Sequence, residues 1–324
     1  MNSFGRIFKI SIFGESHGKA VGITINGCPA GIEISETNFN FDLQRRKSGS
    51  TGTTTRIEDD IPEILSGIFE GKTTGSPITI IFKNTNVKSK DYSRLKNHLR
   101  PGHADFVAKN KYSGFTDIRG GGHFSGRLTL GLVAAGVIAK KIISPIKIKA
   151  KITEIGGSKD FEEAIKKAIE ENDSIGGIVE CTINNMPIGL GEPFFDSIES
   201  VISHLVFSIP AVKGIEFGSG FASAKMTGSE HNDLILNEIG KTKTNNAGGI
   251  NGGISNGNEI IFKVAIKPTS SIGKNQETFN FETKKIETLK IEGRHDTCIA
   301  LRIPVIIEAV TAIAIADFKL ILNK

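Results

Sequence analysis

The sequence contains no tryptophan, two tyrosines and three cysteines among its 324 residues, and aromatic residues make up 7% of the chain. The cysteines, Cys28, Cys181 and Cys298, are odd in number and widely spaced. They have neither the pattern of a disulfide framework nor the Cys/His spacing of a metal site. This cysteine usage predicts a reducing, cytoplasmic environment and no bound metal.

The chain also lacks an apolar signal core at its N-terminus and an uninterrupted apolar run long enough to cross a bilayer. The last apolar stretch, 303–322, is interrupted by Glu308, Asp317 and Lys319. We therefore expect no membrane association.

The excess of positive charge is small, because 40 basic residues face 35 acidic ones and the formal net charge is +5. This balance is compatible with small acidic substrates. A nucleic-acid-binding module is an alternative that rests only on this charge and on glycine-rich loops. The chain has few aromatic residues to interleave with a basic face, so we expect no nucleic-acid partner.

Hydrophobic periodicity predicts strands and helices in irregular order, which favours a layered α+β fold over regular βαβ alternation. We find neither a repeat nor a linker, so we expect a single domain spanning 1–324. The predicted strands are 7–13, 21–25, 78–82, 146–153, 177–183, 212–217 and 259–266. The predicted helices are 35–46 with Ser35 as N-cap, 103–112, 126–142, 161–171, 196–208 and 304–322.

Two segments place a histidine beside glycine after an apolar run. They are the first histidine loop, 14–18 (Gly-Glu-Ser-His-Gly), and the second histidine loop, 100–105 (Arg-Pro-Gly-His-Ala-Asp). Glycine lets the backbone approach a ligand closely, and imidazole has the side-chain pKa nearest neutrality. We interpret His17 as a general acid that Ser16 helps to orient. The alternative is a solvated histidine in an ordinary turn.

His103 lies at the start of a predicted helix, where the dipole disfavours the imidazolium form and favours bound anions. A proton-transfer role is one interpretation. In the other, Asp105 only caps the helix or pairs locally, and the loop is structural.

Two further segments suit anions. The segment 120–129 contains three glycines, Ser125 and Arg127 at the start of a predicted helix. This pattern is typical of a site where backbone N–H groups bind an anion, although it lacks the P-loop and Rossmann spacings. Residues 267–271 (Lys-Pro-Thr-Ser-Ser) follow a predicted strand and suit a phosphate or a flavin ring edge. An ordinary polar turn is the alternative for the second segment. We interpret the glycine- and asparagine-rich stretch 240–258 as a ligand loop.

The basic residues that could clamp a polyanion are spread along the chain. Arg45 and Arg46 end a predicted helix, and Arg294 offers a planar fork for phosphate or carboxylate. Asp296, close to Arg294, has the chemistry of a base. The segment around it is equally compatible with a surface ion pair.

Taken together and in order, these motifs resemble the chorismate synthase family. The segments that carry the resemblance are 14–18, 64–71, 100–105, 126–129 leading into 133–136, 246–250, 267–271 and 294–296. They are collinear from about residue 5 to 320, which is nearly the whole chain.

The resemblance implies a β-α-β sandwich fold and the last step of the shikimate pathway, which serves aromatic amino-acid biosynthesis. The implied reaction is 1,4-anti-elimination of phosphate from 5-enolpyruvylshikimate 3-phosphate to give chorismate. It requires reduced FMN although there is no net redox change. The resemblance also implies a homotetramer, and flavin reduced by an external reductase or with NADPH.

The resemblance further implies roles for residues of this sequence. His17 would protonate the departing phosphate, His103 would protonate or stabilise the flavin, and Ser16 and Asp296 would support removal of the ring proton. The implied substrate or NADPH contacts are Arg45, Arg46, Arg100 and Arg127. The implied FMN contacts are His123, Phe124, Ser125, Pro210, Ala211, Gly252, Lys267, Pro268, Thr269, Ser270, Ser271 and Arg294.

The chain departs from the family pattern at three places. Residues 123–128 (His-Phe-Ser-Gly-Arg-Leu) replace Arg-Ser-Ser-Ala-Arg-Glu, Gly52 replaces an arginine, and Lys47-Ser48 replaces Arg-Pro. His123 would restore the lost cation only when protonated, which predicts a steeper loss of activity at alkaline pH. A flavin-binding relative without catalysis is the main alternative, and the presence of His17, His103 and Asp296 argues against it.

Overall fold

The computed structural model describes residues 2–87 and 95–322, and its N-terminal half is built on an antiparallel sheet. Alternate residues of its central strands are buried, because only one face of the sheet meets the core. Its strands, in sheet order, are β1 (Ser3–Phe4), β2 (Lys9–Gly14), β3 (Ala20–Asn26), β7 (Ile78–Lys83) and β4 (Glu63–Ser66).

A second antiparallel sheet belongs to the C-terminal half of the chain. The strand over 260–266 pairs without interruption with one neighbour, where Phe262 lies opposite Cys181. On its other side Phe262 lies opposite Phe217, and the register shifts between Val212 and Gly214. The strands, in sheet order, are β10 (Val212–Phe217), β13 (Ile260–Ile266), β9 (Gly177–Asn184) and β8 (Lys147–Ile155).

Two buried helices separate the sheets, α3 (Thr129–Ile142) and α7 (Pro304–Leu322). Helix α3 packs on the first sheet, α7 packs on the second, and the two helices contact each other. A Cβ added to Gly136 would overlap Ala309, so glycine permits this close crossing. The predicted α+β class is confirmed, and its layers are sheet, helices and sheet.

The remaining helices surround this sandwich. They are α1 (Thr37–Arg46), α2 (Asp105–Lys111), α4 (Phe161–Glu170), α5 (Ile198–Val206) and α6 (Gly228–His231). Four helix starts differ from the prediction. Glu36 rather than Ser35 precedes α1, and α2 begins at Asp105. A 3-10 turn over 126–128 precedes α3, and α5 begins at Ile198 rather than at 196.

Three short hairpins were not predicted. They are β5 (Ile68–Phe69) with β6 (Lys72–Thr73), β11 (Ile250–Asn251) with β12 (Ile254–Ser255), and β14 (Gln276–Asn280) with β15 (Lys285–Leu289). The last hairpin lacks clear apolar alternation. Leu289 packs with Leu95 and Ile291 in a small cluster apart from the main core.

Among the described residues, the stretch Arg119–Ile142 is long and apolar enough to cross a membrane by length and composition. Its most apolar window is 78% buried inside the protein. Three glycines with positive φ also interrupt it near its start. Its apolar character is therefore explained by its place in the core.

Candidate active site

A cleft of about 840 Å³ lies where loops of both sheets meet the helical layer. Among the described residues, nine arginines and lysines but only three carboxylates line it. Its lining also includes apolar side chains, among them Ile10, Ile12, Leu132, Leu205, Ile303 and Ile306. The cleft therefore offers both cationic and apolar surface to a ligand.

The first histidine loop follows β2 and is held from three directions. Arg56 donates hydrogen bonds to Ser16 Oγ at 2.9 Å and to the Ser16 carbonyl at 3.1 Å. Asn84 Nδ2 donates to the carbonyls of Glu15 and Gly18. The Ser16 amide donates to the Gly122 carbonyl. Ser16 is 1% exposed and lines the cleft, so it occupies a fixed position.

His17, the histidine of this loop, is buried, with 8% of its surface exposed. Burial lowers its pKa below the usual 6.5, and the positive charges of Arg56, Arg119 and Arg294 lower it further, against an opposing effect from Asp117. His17 is therefore largely neutral at neutral pH. A bound phosphate would raise this pKa, because an adjacent anion favours the imidazolium.

A turn of three glycines brings the two histidine loops together. Gly120, Gly121 and Gly122 all have positive φ, a conformation that glycine adopts without strain. A Cβ on Gly120 would overlap the His17 ring and lie 2.6 Å from Ser16 Oγ. A Cβ on Gly121 would lie 3.5 Å from His103 Nε2. The turn thus passes between both imidazoles.

His103 is held by a carboxylate and lies ahead of α2. Its Nδ1 is 2.6 Å from Asp105 Oδ1. Burial would raise the pKa of Asp105, but hydrogen bonds from Arg100 and His103 hold it well below its usual value. Asp105 is thus an anion, and it accepts a hydrogen bond from the protonated Nδ1 of His103. The other ring nitrogen, Nε2, faces the glycine turn. Helix α2 begins two residues after His103, and Asp105 is the charged group that His103 contacts directly.

Arg100 anchors the second histidine loop. It donates to both oxygens of Asp105 through Nε and Nη2, at 2.7 and 2.8 Å, and from Nη1 to Ser271 Oγ at 3.0 Å. It lines the cleft with 5% of its surface exposed. Asp105 therefore pairs locally with Arg100, and the loop that carries both residues still lines the cleft through Arg100 and His103.

Arg46 and Arg127 also line the cleft, and protein acceptors hold both guanidinium groups. Arg46 donates to Thr129 Oγ1 and to the Gly126 carbonyl, and Arg127 donates to Asp60 Oδ1 and Asn84 Oδ1. Burial, followed by the charge of Arg302, lowers the pKa of Arg46 to about 9, so Arg46 remains cationic at neutral pH. These arginines supply a positive field from fixed positions.

The structure does not bring Arg45 to the cleft. Successive residues of a helix point about 100° apart, so Arg45 faces α7 while Arg46 faces the site. Arg45 makes two 2.7 Å hydrogen bonds to Glu308 and one to Asp42. We therefore correct the expectation of a joint clamp and assign Arg45 to the packing of α1 on α7.

The segment 267–271 lines the cleft beside the second histidine loop. Lys267 Nζ and Ser270 Oγ donate to the Gly102 carbonyl at 3.0 and 2.7 Å. Thr269 Oγ1 is buried without a hydrogen-bond partner in the described part of the chain. Burial, followed by the charge of Lys213, lowers the pKa of Lys267. A buried hydroxyl and a partly desolvated amine at one strand end fit a polar ligand.

The other predicted cofactor contacts divide into two groups. His123, Phe124, Ser125, Pro210, Ala211, Pro268 and Arg294 line the cleft. Gly252 does not, because it lies at the tip of the β11–β12 hairpin with nothing within 4 Å of its Cβ position. Within one chain, Gly252 is therefore separate from this site.

His123 supports the first histidine loop from below. Its Nδ1 lies 2.9 Å from the Gly14 carbonyl and its Nε2 lies 3.2 Å from Asn2 Oδ1.

Gly52, another departure from the family pattern, has φ of +88°, and a Cβ there would lie 2.8 Å from Ile165. Ile165 and Leu301 thus occupy the space that a side chain at 52 would need.

Asp296 forms a partly buried ion pair within the cleft. Both of its oxygens lie 3.3 Å from Arg302 Nη1, and Oδ1 also accepts the Thr54 amide at 3.0 Å. Arg302 in turn donates to the Arg46 carbonyl at 2.9 Å. Asp296 therefore faces the site, and the surface-pair alternative is wrong.

Sequence reasoning missed three residues that organise this site, Glu58, Asp60 and Asn84. Asp60 pairs with Arg127 at 2.8 Å and lies 3.7 Å from Arg46. Asp60 adopts a positive φ of 53°. Nothing in their local pattern distinguishes these residues from a solvated loop, because their partners are distant in sequence.

Known proteins provide an independent comparison. A family model described as chorismate synthase matches residues 8–320. A chorismate synthase of Chitinophaga pinensis is 60% identical over 322 residues, with coverage of 99% of this chain and 97% of that protein. One from Methanocaldococcus jannaschii is 43% identical over 365 residues, with coverage of 99% and 96%.

The fold agrees with these similarities. A solved structure described as a crystal structure of chorismate synthase matches with a TM-score of 0.74 and 28% identity. The match covers 97% of this chain and 92% of that one. The resemblance found in the motifs is therefore confirmed. The chain belongs to the chorismate synthase family, whose members are carbon–oxygen lyases of aromatic amino-acid biosynthesis.

Proposed function

We propose that this protein eliminates phosphate from 5-enolpyruvylshikimate 3-phosphate to give chorismate. In this 1,4-elimination the carbon–oxygen bond to phosphate breaks, a ring proton leaves and a new double bond forms. Electrons balance without an external oxidant or reductant. The substrate carries a phosphate and two carboxylates, which explains why the basic side chains of the cleft outnumber its carboxylates.

The observation that carries the proposal is the convergence of two imidazoles on one glycine turn. His103 and Gly120 line the basic cleft, and His17, which is not among its described lining residues, lies against Gly120. His17 contacts the turn at Gly120, and His103 approaches it at Gly121. Each ring has a different electrostatic neighbour, and the reaction needs acid–base groups with separate tasks.

His17 is suited to deliver a proton to the departing phosphate. In the free protein burial and nearby arginines keep it mostly neutral. The phosphate dianion would raise its pKa on binding, so the ring would take up a proton at the place where the leaving group needs one. Ser16, held by Arg56, fixes the backbone that carries this ring.

His103 is suited to present a fixed Nε2 towards the second bound molecule. Its Nδ1 is committed to Asp105, which is committed to Arg100. Asp296 lines the cleft and pairs with Arg302, which donates to the Arg46 carbonyl. The charge of Asp296 would assist departure of the ring proton.

We propose reduced FMN as the cofactor, and the cleft meets its requirements. A flavin needs apolar surface for its rings and polar partners along the ring edge and phosphate, and both kinds of residue line the cleft. The buried, unpartnered Thr269 Oγ1 is one such partner. Residues 123–125, 210–211, 267–271 and Arg294 would hold the group. When bound, reduced FMN supplies transient electron density to the substrate ring.

Three further expectations remain proposals. We infer a homotetramer, because the family resemblance implies one. We infer that the flavin is reduced by a separate reductase or with NADPH, because the family resemblance implies such a supply. The cytoplasm is the proposed compartment, since all three cysteines are free thiols.

The decisive experiment measures phosphate release from 5-enolpyruvylshikimate 3-phosphate under anaerobic conditions with chemically reduced FMN. We expect turnover with reduced FMN and none with oxidised FMN. NADPH added with oxidised FMN tests whether the chain reduces its own flavin. Tight FMN binding without phosphate release at micromolar protein would identify a flavin-binding relative that has lost catalysis.

A further inference from the structure

The buried carboxylate of Glu58 lies behind the first histidine loop and is 6% exposed. Among the described residues it accepts five hydrogen bonds. Oε1 accepts from Arg56 Nε at 3.1 Å and Nη2 at 2.7 Å. Oε2 accepts from the Thr85 amide and hydroxyl at 2.9 and 2.8 Å, and from the Asn86 amide at 3.2 Å. Its two oxygens therefore hold two different segments.

The first segment leads to the proposed general acid. Glu58 orients Arg56, whose remaining donors reach the hydroxyl and carbonyl of Ser16 at 2.9 and 3.1 Å. Ser16 immediately precedes His17. A carboxylate that binds the guanidinium at Nε and Nη2 leaves few alternative orientations for the donors that face Ser16.

The second segment leads to Arg294, which also lines the cleft. Asn86 accepts hydrogen bonds from Arg294, at 3.1 Å to Oδ1 and 3.4 Å to the carbonyl. In the same stretch, Asn84 holds the carbonyls of Glu15 and Gly18. Residues 84–86 thus connect the first histidine loop to Arg294, and Oε2 of Glu58 fixes their backbone.

We propose that Glu58 is a positioning residue that fixes Ser16 and Arg294 relative to each other and offsets the charge of Arg56 beside His17. The kinetic part of this proposal rests on the proposed elimination reaction. The structural and electrostatic part concerns only the protein's own side chains.

The charges around His17 set the direction of the expected effect. Arg56, Arg119 and Arg294 lower the pKa of His17 and Asp117 raises it, in addition to the larger effect of burial. Burial would raise the pKa of Glu58, but hydrogen bonds from Thr85 and Arg56 lower it to about 2, so Glu58 is an anion at working pH. Its removal leaves Arg56 uncompensated and further disfavours the His17 imidazolium.

Glu58→Gln tests the proposal, with Glu63→Gln as matched control. Glu63 forms an exposed ion pair with Lys83 at 2.8 Å, so the control removes the same charge nearby without touching the network. We expect kcat of Glu58→Gln to fall by about 10²-fold, as is typical when reacting groups are misplaced. In ¹⁵N NMR titrations we expect His17 to titrate at lower pH than in the wild type, and the control to match the wild type.

Glu58→Asp separates position from charge and serves if Glu58→Gln does not fold. It keeps the anion but shortens its reach, so His17 should titrate as in the wild type while kcat still falls. Unchanged kcat and unchanged His17 titration in a folded Glu58 variant would overturn the proposal. Lack of turnover by the wild type would instead refute the proposed reaction, and the NMR titrations would still test the coupling of Glu58 to His17.

Discussion

The two histidine loops are alike in sequence and opposite in surroundings. His17 is enclosed by burial and by arginines that disfavour its protonated form. His103 lies 2.6 Å from the carboxylate of Asp105. The glycines of each loop let the backbone approach a ligand closely, but charged residues near the ring in space set the electrostatics of each imidazole. Similar local motifs on one glycine turn can therefore serve different chemical tasks.

Replacing either imidazole should have the largest effect. We expect His17→Ala and His103→Ala each to lower turnover by about 10²- to 10⁴-fold, the usual contribution of a general acid or base. Single-turnover phosphate release measures this directly. His231→Ala, which lies away from the cleft, is the control. Near wild-type turnover of either variant would remove that histidine from the mechanism.

The carboxylate of the second histidine loop should be essential to stability. Asp105→Asn leaves the buried Arg100 without its charged partner, so we expect a loss of about 3 to 5 kcal/mol in the free energy of unfolding. The half-exposed pair of Asp173 with Lys274 offers a contrast, because Asp173→Asn should cost no more than about 1 kcal/mol. Urea unfolding at pH 7 compares the two variants, and equal losses would contradict the structural role of Asp105.

The glycine turn allows the two histidines to be perturbed separately. Both Gly120→Ala and Gly121→Ala place alanine at positive φ, so both have a similar backbone cost. Only the Gly120 methyl group would overlap His17, whereas the Gly121 methyl would make ordinary contact with His103. We expect turnover to fall by about 10²-fold for Gly120→Ala, and substantially less for Gly121→Ala. Equal kinetic losses would show that backbone strain alone is responsible.

A third imidazole beside the second loop should make the fold sensitive to acid. Burial, followed by the charge of Arg100, lowers the pKa of His295 to about 4. In the unfolded chain His295 is protonated below about pH 6.5, whereas in the folded chain it is protonated only below about pH 4. The unfolded state therefore binds more protons between these values, and the free energy of unfolding falls as pH decreases through this range. We expect a loss of about 2 kcal/mol between pH 7 and pH 5 from this residue. Urea unfolding at both pH values should show a smaller pH dependence for His295→Gln.

The core of the fold could be predicted because it depends on apolar periodicity. Strands β3, β7, β9 and β13 and helix α7 coincide with continuous or alternating apolar runs, and burial follows those runs. The β14–β15 hairpin was missed because its stability comes from pairing and from a small separate cluster. No pattern within that segment distinguishes it from a polar loop.

The candidate site shows the same division. Glycine-flanked histidines and hydroxyl-rich turns are visible as local motifs, so His17, His103 and 267–271 could be singled out. Arg45 and Arg46 are adjacent in sequence, yet helical geometry directs one to Glu308 and the other to the cleft. Glu58 and Asn84 could not be found, because their importance lies in partners far away along the chain.

By itself, the sequence determined the layered α+β class, the family and the side chains able to move protons. Those properties follow from periodicity, glycine placement and the intrinsic chemistry of each residue. The tertiary structure decided which charges surround each imidazole and which arginines face the cleft. Coulombic and desolvation effects depend on distance in space and on burial, and neither is encoded in local spacing.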